Sequence, residues 1–204
     1  MFLIGIKPLI YKMTTAQLLH TVREITQSNI DFMIKYGRKM TDSQLSWVPN
    51  PGVWSVAQIL AHVNEYGKYY HPTFLKKIEN TRFTSTKEAF ISSPLGRSAW
   101  KSMKLGRLNN IKRKFRAQKG NNPTYDTSLV TGNEVETFIQ QQEDFLSIID
   151  KAATVNLRRV KIPISISKIV RLRLGDALLF VTYHNQRHVQ QLTNLKDSRN
   201  FPSK

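Results

Sequence analysis

The chain of 204 residues is strongly basic, since 31 Lys and Arg oppose 14 Asp and Glu and give a formal net charge of +17. A hydrophobic content of 40% predicts a folded globular domain and excludes an intrinsically disordered chain. The absence of cysteine excludes disulfides, thiolate metal ligands and a cysteine nucleophile. The excess positive charge favours anionic partners, among them nucleic acid, acidic metabolites and membrane surfaces, without choosing between them.

The first residues, MFLIGIKPLIYKM, are apolar, but Lys7 and Pro8 interrupt them and the basic start of a signal peptide is missing. No apolar run reaches the roughly 18 residues that a membrane-spanning helix needs. We therefore predict a cytoplasmic protein that has no membrane partner. We divide it into an N-terminal extension at 1–12, one domain at 13–197 and a C-terminal tail at 198–204.

Two amphipathic helices are predicted in the first half of the chain. The first runs from Thr14 to about Gly37, opens with a Thr-x-x-Gln capping box, and turns these apolar residues inward: Leu18, Leu19, Val22, Ile25, Ile30, Met33 and Ile34. The second opens with the Ser55–Gln58 capping box, and its inward face carries Tyr66, Tyr70 and His62. His71 follows nine residues after His62, about half a turn around the helix, so we expect it at the surface.

A long connection with weak periodicity follows, and between Arg97 and Lys119 it holds nine Lys or Arg and no acidic residue. It is either a solvated covering segment, or a basic wall around a pocket or phosphate-binding surface. A third helix is predicted from Thr131 to about Ala152, with a Thr131–Glu134 capping box and these residues on its outer side: Gln141, Gln142, Glu143 and Asp144. The sequence I-P-I-S-I-S after it indicates a short extended piece.

The last helix, Gly175 to Lys196, carries two histidines on its apolar face. His184 and His188 are four residues apart, so both imidazoles leave the same face about one turn apart. They are either core histidines with local hydrogen-bond partners or ligands of a cation. A third imidazole for such a site is available from His62 on the second helix.

Four amphipathic helices of this length predict an all-α bundle, in which facing helices can combine side chains into a metal site. Three neutral imidazoles leave a coordination position open, as in catalytic rather than structural sites. Zn²⁺ is the simplest ion for such a set, and Ni²⁺, Fe²⁺ and Mn²⁺ are the alternatives.

Two motifs carry a family resemblance, namely W-S-V-A-Q-I-L-A-H at 54–62 and H-N-Q-R-H-V-Q-Q at 184–191. Together they resemble the DinB/YfiT-like superfamily of metalloenzymes. The resemblance implies an up-down-down-up four-helix bundle. The long basic crossover between helices 2 and 3 is predicted from the residues themselves and is not part of the motifs that carry the resemblance. The resemblance also implies a metal triad of His62, His184 and His188, frequent homodimers, and a transferase or hydrolase reaction that in some relatives uses a low-molecular-weight thiol.

Three further residues are candidates for the chemistry. Tyr66 lies one turn beyond His62 and could donate a hydrogen bond to a developing negative charge, or simply line the core. Gln191 lies seven residues after His184 and could orient a ligand, bind substrate, or occupy the bundle rim. Arg187 could pair with a carboxylate of a neighbouring helix or meet an anionic small-molecule substrate.

The leading hypothesis is a metal-dependent enzyme that activates a thiol or water for attack on a small electrophile. The first alternative is a basic bundle that binds nucleic acid, supported by the acid-free basic stretch with its interleaved Trp100 and Phe115. The second alternative is a dimeric scaffold in which the metal serves stability alone. No acidic residue shares the histidine face, so the sequence identifies no general base.

Overall fold

The computed structural model describes residues 12–113 and 115–203, and these are mostly helical. Six α-helices were found, which we number in chain order: α1 Thr15–Lys35, α2 Asp42–Ser46, α3 Val56–Glu79, α4 Pro94–Met103, α5 Glu134–Ala152 and α6 Leu174–Lys196. Four short strands accompany them: β1 Lys12–Thr14, β2 Ala89–Ile91, β3 Lys161–Ile164 and β4 Ser167–Arg173. The predicted extension at 1–12 lies almost wholly outside the described residues.

The four long helices α1, α3, α5 and α6 form the body of the molecule. Helices α1 and α3 each pack against both α5 and α6. One core cluster joins the first halves of α1 and α6 with the second halves of α3 and α5. A second cluster joins the opposite halves of the same four helices. The prediction of a helical protein built on four long amphipathic helices is thus confirmed.

Capping boxes start two of these helices as predicted. The side chain of Thr14 accepts from the amide of Gln17 in α1, and Ser55 accepts from Gln58 in α3. The same device at Thr41 starts the short helix α2, which the sequence analysis missed among the turn-forming residues. Each box satisfies helix N–H groups that would otherwise lack a partner.

The capping box predicted at Thr131 is wrong. The carboxylate of Glu134 reaches back to the amides of Thr131 and Gly132, but the hydroxyl of Thr131 donates to that carboxylate instead of accepting from the helix. The helix therefore begins three residues later than predicted, at Glu134, with Asn133 at its N-cap. The predicted end at Ala152 is confirmed.

The strands form two small antiparallel sheets. Strand β1 pairs with β2, which fixes the start of α1 to the chain that leads into α4. The I-P-I-S-I-S sequence forms β3 and the turn into β4, which confirms the predicted extended piece. Strand β4 continues to Arg173, immediately before α6.

Helix α4 packs against α6 through a buried acidic residue. Asp176, fully buried in the first turn of α6, accepts hydrogen bonds of 3.0 Å from the amide and the hydroxyl of Ser93, the N-cap of α4. Between α4 and α5 the helical structure of the described residues is limited to short 3₁₀ turns, and we call residues 104–130 the connecting segment. Residues 198–203 also contact the body of the protein, since the Phe201 ring lies 5.5 Å from that of Trp47.

Three burial predictions are wrong, and the packing of the helices explains them. Ile34, expected inside, is 41% exposed, while Gln142, expected outside, is 1% exposed. His71, expected at the surface, is buried because α3 packs on both α5 and α6 and so has two covered sides. Among the described residues, no helix combines the length and apolarity that crossing a membrane would require.

Candidate metal centre

Two neighbouring helices bring the three predicted histidines together. His62 lies in the second turn of α3, and His184 and His188 lie on successive turns of α6. Because α3 and α6 pack against each other, the three imidazoles meet inside the bundle. Along α6 the two histidines fall between the two hydrophobic clusters, so polar rings occupy the gap between apolar layers.

The spacing of the ring nitrogens suits a single cation. One nitrogen from each histidine lies within 4.8 Å of the other two, and the Nε2 atoms of His184 and His188 are 3.2 Å apart. Two imidazoles on one tetrahedral Zn²⁺, at 2.0–2.1 Å each, place their nitrogens roughly 3.4 Å apart. The pair on α6 is thus already at a suitable separation, and a nitrogen of His62 lies within 4.8 Å of both.

In two of the three imidazoles, Nδ1 is hydrogen-bonded to an oxygen atom. Nδ1 of His62 lies 2.6 Å from the carbonyl oxygen of Asn121, and Nδ1 of His188 lies 2.6 Å from Oε1 of Gln191. Since both partners are acceptors, each Nδ1 carries the proton and each Nε2 keeps its lone pair. Nδ1 of His184 has no hydrogen-bond partner of normal geometry, and neither has the buried Oδ1 of Asn185 beside it.

Burial lowers the pKa of all three imidazoles. At His184 and His188, burial lowers the pKa well below its ordinary value, and the mutual repulsion of the rings adds to the effect. At His62 burial again lowers the pKa, while the hydrogen bond to Asn121 acts in the opposite direction. The three side chains are therefore uncharged at neutral pH and retain the lone pairs that a cation requires.

Aromatic side chains surround the triad. The ring of Tyr66 stacks on His184 with centroids 4.2 Å apart, and the ring of Trp54 lies 5.0 Å from that of His62. Burial raises the pKa of the Tyr66 phenol, with a hydrogen bond to the side chain of Asn121 acting in the opposite direction. Nε1 of Trp54 donates to the hydroxyl of Thr124 at 2.9 Å, so the connecting segment lies over this side of the site.

The structure places the other predicted residues as follows. Gln191 lies with its Oε1 atom 2.6 Å from Nδ1 of His188, and its predicted role in orienting a ligand stays a prediction. Arg187 donates to the carbonyl of Arg113 and forms no ion pair among the described residues, so the predicted carboxylate partner is not found there. His71 lies apart from the triad, with its ring stacked on Phe145 at 5.4 Å.

Sequence reasoning missed Asn121 as a partner of the site. It lies in a short 3₁₀ turn of the connecting segment, 59 residues after the histidine that it contacts. It acts through its backbone carbonyl, which no residue type reveals. The contact of the Trp54 ring with the His62 ring was also missed, and it has no sequence signal beyond the short spacing between the two residues.

The donor set fits a divalent ion of the zinc type. Within the described part of the chain, the possible ligands that converge here are three imidazoles, with no Asp or Glu among them. Neutral imidazoles suit Zn, Ni, Cu and Fe better than the oxygen-seeking Mg and Ca. Three protein ligands also leave at least one position for an exogenous group.

Comparison with known proteins gives a family. No curated protein matches the chain. A solved structure, YfiT from Bacillus subtilis, described as a probable metal-dependent hydrolase with an unusual four-helix bundle topology, aligns with a TM-score of 0.47 and 13% sequence identity. That alignment covers 89% of this chain and 85% of the other. The family model of the DinB superfamily matches residues 33–192, a stretch that holds both motifs and all three histidines. The resemblance predicted from the motifs is confirmed, and the chain belongs to the DinB superfamily.

Proposed function

We propose that this protein is a metal-dependent enzyme in which His62, His184 and His188 hold one divalent ion. Zn²⁺ is the first candidate, with Ni²⁺, Fe²⁺ and Mn²⁺ as alternatives. The observation that carries the proposal is the convergence of three buried imidazole nitrogens within 4.8 Å, two of them on rings whose outer nitrogen is bonded to oxygen. Core histidines without such a role would have no reason to bring three ring nitrogens this close together.

The proposed reaction is attack of a water or a thiol on a small electrophilic substrate. A divalent ion, when bound here, lowers the pKa of a water or thiol ligand towards neutrality. The protein's own contribution begins with Asn121 and Gln191, whose oxygens accept from the Nδ1 atoms of His62 and His188. These bonds fix the tautomer and orientation of both rings and increase their basicity as ligands.

Tyr66 is the proposed hydrogen-bond donor to the reacting group. Its ring stacks on His184, and burial raises its pKa further above the ordinary value of 10, so the phenol keeps its proton at neutral pH. A fixed O–H group in a site of low polarity stabilises negative charge that develops on a substrate oxygen. Trp54, against the ring of His62, restricts the access of bulk water on the same side.

We include in the proposal an up-down-down-up course of the four long helices. The composition of the two core clusters supports it, because α1 and α6 contribute the same halves to each cluster while α3 and α5 contribute the opposite halves. This course places the start of α3 and the end of α6 at one end of the bundle. The motifs at 54–62 and 184–191 then face each other across α3 and α6.

Metal content tests the proposal directly. The protein would be saturated with Zn²⁺, dialysed against metal-free buffer, and analysed by inductively coupled plasma mass spectrometry. One ion per chain is expected for the unaltered protein, and far less for His62→Ala, His184→Ala or His188→Ala. The control His20→Ala changes an exposed histidine of α1 and should retain the ion. Stoichiometric metal in folded His184→Ala would end the proposal.

Activity assays then separate the two reaction classes. Zinc-loaded protein would be offered electrophilic esters, amides and halides, with and without low-molecular-weight thiols. Turnover that depends on the thiol and gives a thioether or thioester indicates a transferase, while thiol-independent release of acid and leaving group indicates a hydrolase. In both cases the three alanine variants should lose the activity together with the metal.

A further inference from the structure

Arg187 is a buried cation for which the structure provides no anion. It lies in α6 directly before His188 and is 5% exposed. One Nη2 hydrogen is donated to the carbonyl of Arg113, and the guanidinium lies 5.3 Å from the centre of the Phe115 ring. Neither contact supplies negative charge. A buried charge is costly unless an opposite charge or a set of hydrogen bonds compensates for it.

The described residues around Arg187 offer no negative charge to balance its own. Burial lowers the pKa of Arg187, and no acidic neighbour raises it, whereas at Arg38 the hydrogen bond to Glu136 raises the pKa. The ion pairs formed by the described residues join other side chains and leave Arg187 out. The chain from Glu88 to Asp126, which includes the connecting segment beside it, contains no acidic residue between these two.

The contact with the connecting segment satisfies only part of the hydrogen-bonding capacity of Arg187. A guanidinium has five N–H groups, and the bond to the Arg113 carbonyl uses one. Among the described residues, that bond is the one hydrogen bond of the guanidinium, and its remaining N–H groups on Nε, Nη1 and Nη2 have no acceptor. Arg187 therefore keeps several guanidinium N–H groups for a further acceptor.

Arg187 lies beside the histidine triad. The positive charge of Arg187 acts on both His184 and His188 and lowers the pKa of each. The same connecting segment binds Arg187 through the carbonyl of Arg113 and His62 through the carbonyl of Asn121. The arginine and the triad thus lie under one stretch of chain. With a divalent ion on three neutral imidazoles, the site would hold three positive charges and no carboxylate.

We propose that Arg187 is a specificity-determining residue that binds the carboxylate or phosphate group of an anionic substrate. The inference rests on the proposed function for the identity of the site, and it adds the chemical class of the substrate. A carboxylate and a phosphate share the pair of acceptor oxygens that a guanidinium edge binds with two parallel hydrogen bonds. The high net charge of the protein raises the local concentration of such anions and speeds their encounter with the site.

The test uses metal-free protein, so that anion binding is measured apart from metal binding. Arginine Nε–H signals in ¹H–¹⁵N NMR spectra would be followed during separate titrations with inorganic phosphate and with acetate. The signal of Arg187 is the one missing from Arg187→Lys. The chemical shift of this signal should change and reach saturation with at least one of the two anions. The anion that binds more tightly identifies phosphate or carboxylate as the preferred group.

Variants separate a specific site from general charge attraction. The affinities of the variants for both anions would be measured by isothermal titration calorimetry, since Arg187→Gln lacks the reporter signal. Arg187→Gln should weaken binding about ten-fold or more, as expected for loss of a charged hydrogen-bond pair. Arg171→Gln, on the exposed face of β4, removes an equal charge elsewhere and should bind as the unaltered protein does. The inference is overturned if the Arg187 signal stays unmoved by both anions, or if Arg171→Gln weakens binding as much as Arg187→Gln. Neither result affects the metal analysis, so the two proposals fail separately.

Discussion

The hydrogen bond from His188 to Gln191 allows a quantitative prediction about the metal centre. Oε1 of Gln191 lies 2.6 Å from Nδ1 of His188 and keeps the proton there, which leaves the Nε2 lone pair directed towards His184. Gln191→Leu removes this acceptor while preserving most of the side-chain volume. Loss of such an outer hydrogen bond weakens metal binding roughly 10- to 100-fold, which corresponds to about 1.4 to 2.8 kcal/mol.

A competition titration against a chromophoric zinc chelator at neutral pH measures this change. The matched control is Gln190→Leu, since the amide of Gln190 donates to Oδ1 of Asn194 at 3.0 Å and leaves the histidines untouched. We expect weaker zinc binding in Gln191→Leu alone, with the helical circular dichroism spectrum unchanged in both variants. Equal zinc affinities in the two variants would refute the claim that Gln191 orients a ligand.

Two predictions concern stability. Burial lowers the pKa of His71 from 6.5 to about 4, so its contribution to stability is complete above pH 6.5 and is lost as the pH falls towards 4. The loss is on the order of 3 kcal/mol. The free energy of unfolding, measured by urea titration, should therefore fall less between pH 6.5 and pH 4 in His71→Phe than in the control His20→Gln. An equal fall in both variants would contradict the burial of His71. At Gly96 an added Cβ would lie 2.1 Å from Oδ2 of Asp176, so Gly96→Ala should lower the free energy of unfolding by about 1–3 kcal/mol. Gly120→Ala, where an added Cβ meets no atom within 4 Å, should leave the thermal midpoint unchanged, and equal midpoints for both variants would refute the described packing of α4 on α6.

The candidate site could be predicted because its residues lie on regular elements. The spacing of His184 and His188 fixes their common face on any helix, and the capping box at Ser55 fixes where α3 begins and hence the direction of His62. These are local rules that need no knowledge of the fold. The convergence of the two helices followed from their apolar faces and from the family resemblance.

The wrong predictions concern residues whose burial depends on which helices pack against them. His71 is buried because α3 is covered on two sides, and a helical periodicity read for one inward face cannot show that. The helix also continues through Pro72, although proline removes a backbone donor from the helix interior. Gln142 is buried within hydrogen-bonding reach of Asn29, a polar pair between α1 and α5 that hydropathy alone assigns to the surface.

The carbonyls of Asn121 and Arg113 both come from the irregular stretch between α4 and α5, and they contact His62 and Arg187 on two different long helices. The histidines and the backbone acceptors beside them are thus encoded in separate parts of the gene. Insertions or deletions in residues 104–130 can change the surface beside His62 and Arg187 while the four long helices keep their arrangement. A change in this loop that keeps a carbonyl acceptor at Nδ1 of His62 can therefore alter the surroundings of the site without moving the three histidines.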